Sequence, residues 1–173
     1  MGNLYKVVVT GPFNVGKTEF VRTISDIPIV STERRITNQL ASMKEETTVA
    51  MDYGHVRMDD DLFHLYGTPG QPRFDFMWDI LSTEMHAFIL LVDSSDRQSL
   101  LPAKQLIRIF SRKSRVPYLV VANKQDMDNA LSTEEIGKRM GLDAKTPVIP
   151  CVAIDKDSVR NVLEELRALV QSV

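Results

Sequence analysis

Apolar and polar positions along the chain fall into two alternating patterns. Leu4–Val9 is a short valine-rich run ending at Thr10-Gly11, which predicts a buried strand entering a turn. Thr18–Ser25 has helical spacing. Residues 26–47 are polar with weak periodicity and read as largely loop. Val49–Met58 and Leu62–Tyr66 alternate as a pair of strands joined at Asp59-Asp60-Asp61. Phe74–Leu81 returns to helical spacing. Ala87–Val92 and Tyr118–Ala122 are continuous apolar runs, the mark of strands covered on both faces. Leu100–Phe110 is amphipathic, and Ser132-Thr133-Glu134-Glu135 is a capping box that opens a helix to about Met140. Val148–Val152 is a last strand. Val159–Val170, apolar at 159, 162, 163, 166, 169 and 170, is a last helix.

Strands alternating with helices predict an α/β fold in three layers: a mostly parallel, six-stranded sheet with helices on both faces. Ligands of such sheets bind at the carboxyl ends of the strands. The length of 173 residues suits one domain spanning 1–173. With 43% hydrophobic and 25% charged residues the composition is ordinary for a globular chain. Its formal charge of −2 predicts no broad attraction to nucleic acid or anionic membrane. A single cysteine, Cys151, makes no internal disulfide and suits a reducing cytoplasm. The longest apolar run is far short of the ~18–20 residues needed to span a bilayer. Neither end carries a full lipidation pattern, since Lys6 stands where myristoylation requires Ser or Thr. A cytoplasmic protein without an integral membrane segment is therefore expected.

Gly11-Pro12-Phe13-Asn14-Val15-Gly16-Lys17-Thr18 matches the phosphate-loop pattern G-x-x-x-x-G-K-[ST] in full, between a predicted strand and a predicted helix. Glycines let backbone N–H groups approach a phosphate, and the helix N-terminus adds a favourable dipole. On this reading Asn14, Val15, Gly16, Lys17, Thr18 and Glu19 bind nucleotide. Lys17 reaches β- and γ-oxygens, and the Thr18 hydroxyl ligates Mg²⁺. A phosphate loop alone serves kinases, ATPases and GTPases alike.

Asn123-Lys124-Gln125-Asp126, directly after the strand Tyr118–Ala122, narrows the choice. The Asp126 carboxylate accepts both the N1–H and the exocyclic N2–H₂ of guanine. Adenine offers no matching donors and leaves the carboxylate unpaired. Asn123 and Lys124 complete this base-reading motif. After the next strand, Val152 and Ala153 line the base, and the Ala153 N–H is expected to approach the guanine oxygen. A kinase for small nucleotides is the weaker reading, because it leaves Asn123–Asp126 unexplained.

In this order the pieces resemble the Ras-like small GTPases over nearly the whole chain. The resemblance implies a GTP/GDP switch that hydrolyses GTP. Thr47-Thr48-Val49-Ala50-Met51-Asp52-Tyr53 looks like the first switch, with Thr48 a second Mg²⁺ ligand and γ-phosphate sensor. Tyr66-Gly67-Thr68-Pro69-Gly70-Gln71 looks like the second, with the Gly70 N–H on the γ-phosphate and Gln71 orienting the attacking water. Catalysis then rests on Gln71, Lys17 and Thr48. The T-T-V-A-M-D and G-T-P-G-Q segments look most like the bacterial MglA-like, roadblock-associated branch, with affinity to the ADP-ribosylation-factor group. That branch implies effectors or regulators acting through the switches, among them roadblock-fold proteins.

Three positions depart from the family pattern. Gly67 stands where the family has its Mg²⁺-supporting aspartate. Asp61, six residues upstream, lies about 20 Å away at ~3.3 Å per residue, so Asp93 at the end of the neighbouring strand is the better substitute of the two, although a strand-end acid more often caps a turn. The leading expectation is that Mg²⁺ keeps two threonine ligands, phosphate oxygens and waters, and binds more weakly. Phe13 replaces a loop glycine, and its ring either crowds the γ-phosphate or folds outward to shield the nucleotide. Pro69 stiffens the second switch. Gly67 and Phe13 together predict slow intrinsic hydrolysis, with a nucleotide-holding pseudo-GTPase scaffold as the alternative. Arg34 and Arg35 read as solvated, and Phe74, Met77 and Trp78 as mainly core.

Overall fold

The computed structural model describes residues 2–38, 45–68 and 81–173, and the side chains of all of these except 32–38 and 45–50. Among these residues the sheet has seven strands: β1 (Leu4–Thr10), β2 (Val30–Asn38), β3 (Glu45–Met58), β4 (Asp61–Gly67), β5 (Ala87–Asp93), β6 (Tyr118–Asn123) and β7 (Val148–Pro150). They lie in the order β2-β3-β4-β1-β5-β6-β7. β1 pairs in parallel with β4 and β5, and β6 in parallel with β5 and β7. β3 runs antiparallel to both β2 and β4.

The expected count of six strands is corrected to seven. β2 lies within residues 26–47, read as loop from their polarity. Nine paired positions, from Val30↔Tyr53 to Asn38↔Glu45, hold it to β3. Strand pairing stabilises an edge strand without needing the apolar alternation that marks a covered one.

Helices α1 (Lys17–Ile24), α2 (Leu100–Lys113), α3 (Thr133–Met140) and α4 (Lys156–Gln171) flank the sheet. Val7, Val9, Phe63, Leu65, Ile89 and Leu91 form one core with Phe20 of α1 and Val162 and Leu166 of α4. Val8, Phe88, Leu90 and Val92 form the other with Leu106 and Phe110 of α2 and Ile136 of α3. Alternate residues of β1 and β5 thus feed opposite cores, so both strands are buried on both faces as their unbroken apolar runs require. The expected capping box is present: Ser132 Oγ accepts from the Glu135 N–H, and the Glu135 carboxylate accepts from the Ser132 N–H. The helix expected at Phe74–Leu81 falls on residues outside the described set, apart from buried Leu81.

Parallel pairing brings the ends of β1, β5 and β6 to one edge of the sheet. Val9 pairs with Ile89, and Asp93 pairs with Asn123. Both sequence motifs therefore emerge side by side.

Candidate functional site

β1 ends at Thr10, and the chain turns through Gly11 at φ 153°. A Cβ there would sit 2.5 Å from the Leu91 carbonyl oxygen, so only glycine fits. The loop then passes through Asn14 at φ 64° to Gly16 at φ 103°, which starts α1 without a side-chain cap. The N–H groups of the first turn are thus presented for an anion. Phe13, Asn14, Val15, Gly16, Lys17, Thr18, Glu19, Asp52, Thr68 and Lys124 line a cleft of about 510 Å³.

Lys17 lies across this loop, its ammonium donating to the Gly11 and Pro12 carbonyl oxygens. Burial lowers its pKa to about 8, partly opposed by the Asp52 carboxylate. A poorly solvated cation held by loop carbonyls is poised for the oxygens of a phosphate.

The base-reading motif is tied to the phosphate loop. Asn123 is 2% exposed; its Nδ2 donates to the Val15 carbonyl oxygen at 2.8 Å. Its Oδ1 accepts from the Ala153 N–H at 2.9 Å. Lys124, at φ 63°, donates to the Asn14 carbonyl oxygen at 2.9 Å and to Asp93 at 2.8 Å. One buried amide therefore joins the loop after β1, the loop after β6 and the loop after β7. A Cβ on Gly16 would lie 2.5 Å from Asn123 Nδ2, so the loop glycine and the base motif constrain each other. Asp126 sits beyond them on the exposed turn, and the Val152 N–H is taken by Ser158 Oγ at 2.9 Å. The Ala153 N–H, expected to face guanine, is donated within the protein because the buried Asn123 carbonyl needs a donor.

Replacing Asn123 with alanine strands the buried Val15 carbonyl and Ala153 N–H. At ~1–3 kcal/mol for each unsatisfied group, Asn123→Ala is expected to lose ~2–6 kcal/mol of stability. Urea denaturation with unchanged m checks this.

Asp93 takes the turn-capping role. Its Oδ1 accepts from the Ser95 N–H and Oγ, and its Oδ2 from Lys124. Burial works to raise this carboxyl, but the Lys124 and Ser95 hydrogen bonds outweigh it and hold its pKa below the usual range. Asp61 is far from the cleft. It accepts from the Asn3 N–H, Arg167 and Gln171, fastening α4 to the start of β4. Phe13 is 65% exposed at the rim of the cleft, which is the outward arrangement.

The acid that sequence reasoning missed is Asp52. β3–β4 pairing sets it directly opposite Gly67. Its Oδ2 accepts from the Thr18 hydroxyl at 2.6 Å, and its Oδ1 from Ser31 Oγ at 2.9 Å. A hydroxyl and a carboxylate at this spacing form a hard-oxygen donor set of the kind Mg²⁺ takes. Gly70, Gln71 and Pro69 lie outside the described residues. So do the side chains of Thr48, Arg34 and Arg35, although Thr48 is fixed in β3 opposite Arg35.

This is the three-layer fold of the small G proteins, with a phosphate loop and a base-reading loop at one sheet edge. Residues 4–171 match the ADP-ribosylation factor family. An uncharacterised Methanocaldococcus jannaschii protein is 31% identical over 132 residues, 76% of each chain. Human ADP-ribosylation factor-related protein 1 is 29% identical over 76% of this chain and 65% of its own length. Human ADP-ribosylation factor-like protein 4A is 33% identical over 62% of this chain and 58% of its own. The chain thus spans less than two thirds of either human relative. It belongs to the ADP-ribosylation factor family of small GTPases, enzymes that bind GTP and hydrolyse it to GDP.

Proposed function

We propose that residues 1–173 form a single guanine-nucleotide-binding domain working as a GTP/GDP switch with slow intrinsic hydrolysis. The observation carrying this reading is the Asn123 bridge: one side chain holds the phosphate loop at Val15 and the base loop at Ala153. A nucleotide spanning both loops is the ligand such a bridge organises. Asn14, Val15, Gly16, Lys17, Thr18 and Glu19 cradle the phosphates, while Asn123, Lys124 and Asp126 hold the base and Val152 and Ala153 line its pocket. Mg²⁺, held by Thr18 and Thr48, supplies charge neutralisation on the phosphate oxygens when bound. Gly70 senses the γ-phosphate, and Gln71 aligns the attacking water.

Slow turnover is supported by the cleft itself. Among the described residues its cations are Lys17 and Lys124, and no arginine lines it. An arginine finger is worth ~10³–10⁵ in rate where one is used, so a partner reaching the switches would supply it. The T-T-V-A-M-D and G-T-P-G-Q segments favour the MglA-like branch and a roadblock-fold partner. A cytoplasmic location suits the composition, and no described helix is long and apolar enough to cross a membrane. The scaffold alternative rests on Gly67, and the Asp52 carboxylate beside it weighs against that alternative.

Displacement of bound mant-GDP tests the nucleotide reading. GDP and GTP are expected to compete at least 10²-fold better than ATP, and equal competition would sink it.

A further inference from the structure

Gly67 leaves β4 without a carboxylate at the mouth of the phosphate cleft, yet the space is not empty of charge. β3 runs antiparallel alongside, with Asp52 directly across from Gly67. A Cβ built on Gly67 would lie 3.4 Å from Asp52 Cβ and 3.8 Å from its Oδ2. The carboxylate thus occupies ground that a Gly67 side chain would otherwise share. The face is also correct. Gly54, two residues on from Asp52 along β3, abuts Val21 and Ser25 of the α1 end. Alternation then turns Asp52 toward α1, whose first turn carries Thr18.

We propose that Asp52 is the acid that anchors the nucleotide's magnesium ion, supplied from β3 in place of the position filled by Gly67. The inference rests on the guanine-nucleotide reading above. Its chemistry follows from the 2.6 Å contact with Thr18. The carboxylate accepts the hydroxyl proton and leaves the Thr18 oxygen lone pairs to face a cation. It also adds a full negative charge beside the donor set, and a hard divalent cation takes oxygen ligands of this kind. Ser31 holds the second carboxylate oxygen at 2.9 Å, so the group is fixed at both ends. Partners that orient a metal ligand in this way are typically worth 10–100-fold in metal affinity.

Moving the acid between strands changes what the cation is coupled to. Asp52 lies four residues beyond Thr48 on the same strand. Loss of the cation would therefore be felt along β3, which leads out of the first switch.

The test is the magnesium dependence of mant-GDP release, followed by fluorescence while MgCl₂ is titrated against a chelator. Each protein is referred to its own metal-free rate in EDTA. Asp52→Asn should raise the MgCl₂ concentration giving half-maximal retention at least tenfold. The double variant Asp52→Ala/Gly67→Asp, which returns a carboxylate to β4 across the same gap, should fall back to within about threefold of wild type. If Asp52→Asn does not fold, the double variant decides alone. A half-point unchanged in Asp52→Asn, or a double variant no better than Asp52→Ala, overturns the assignment. A wild-type chain that retains no mant-GDP at any magnesium concentration overturns the nucleotide reading and the proposal together.

Discussion

Asp126→Ala is expected to erase the preference for guanine over adenine nucleotides, weakening GDP binding by roughly 10²–10⁴-fold while leaving ATP binding near its low starting value. On the proposed reading the carboxylate accepts two hydrogen bonds from the guanine edge. Charge-assisted bonds contribute ~1.5–3 kcal/mol each, and every 1.4 kcal/mol is tenfold. Asp126 lies on an exposed turn, so its removal should spare the fold. That separates it from Asn123, whose two buried hydrogen bonds hold the loops in place. Competition against mant-GDP by GDP, GTP and ATP reads both variants on one scale. Retained guanine preference in Asp126→Ala would remove the base-reading role.

Lys17→Ala should cost roughly 2–5 kcal/mol of nucleotide affinity, the usual result of removing one partner of a buried, hydrogen-bonded charge pair. The wild-type residue adds a pH signature. Burial holds Lys17 at about 8 in the nucleotide-free protein. A bound phosphate favours the charged form. Between about pH 7, above the phosphate's own second ionisation near 6, and pH 8 the ammonium is already protonated and affinity is flat. Above pH 8 binding must take up a proton, so GDP affinity falls by up to about tenfold per pH unit. For folding the sign is opposite. A lysine held below its ordinary 10.5 binds fewer protons folded than unfolded between pH 8 and 10.5. Its contribution to stability therefore improves across that window. Calorimetric titration of GDP at pH 7 and 9, in buffers of different ionisation enthalpy, measures the proton uptake. No uptake at pH 9 would contradict the buried ammonium.

The motifs were legible because each is contiguous and its chemistry depends on spacing along the chain. Glycines at 11 and 16 sit at positive φ where the loop pattern requires them, and the apolar runs of β1, β5 and β6 became the buried strands. β2 was not legible, since an edge strand held by pairing to β3 carries no apolar alternation. Asp52 was hidden for a related reason. It is separated from Gly67 by a hairpin, and from Thr18 by 34 positions. Only strand register brings the three together. The other candidate acids are Asp61, at the far end of β4 itself, and Asp93, at the end of β5 with β1 lying between it and β4. Both are committed elsewhere, to Arg167 and to Lys124. Slow hydrolysis, first read from Phe13 and Gly67, now rests on different ground. Phe13 stands outward and Asp52 flanks Gly67, so the cleft's having Lys17 and Lys124 as its cations among the described residues carries the expectation instead.

Single-turnover hydrolysis of preloaded GTP with Mg²⁺, comparing wild type with Gln71→Leu, tests the switch most directly. The expected result is slow conversion to GDP by wild type and a loss of about 10²-fold in the variant, the scale on which misplacing a reactant slows chemistry. Conversion at the same rate in both proteins would deny Gln71 its role. Rapid turnover by wild type alone would contradict the slow switch.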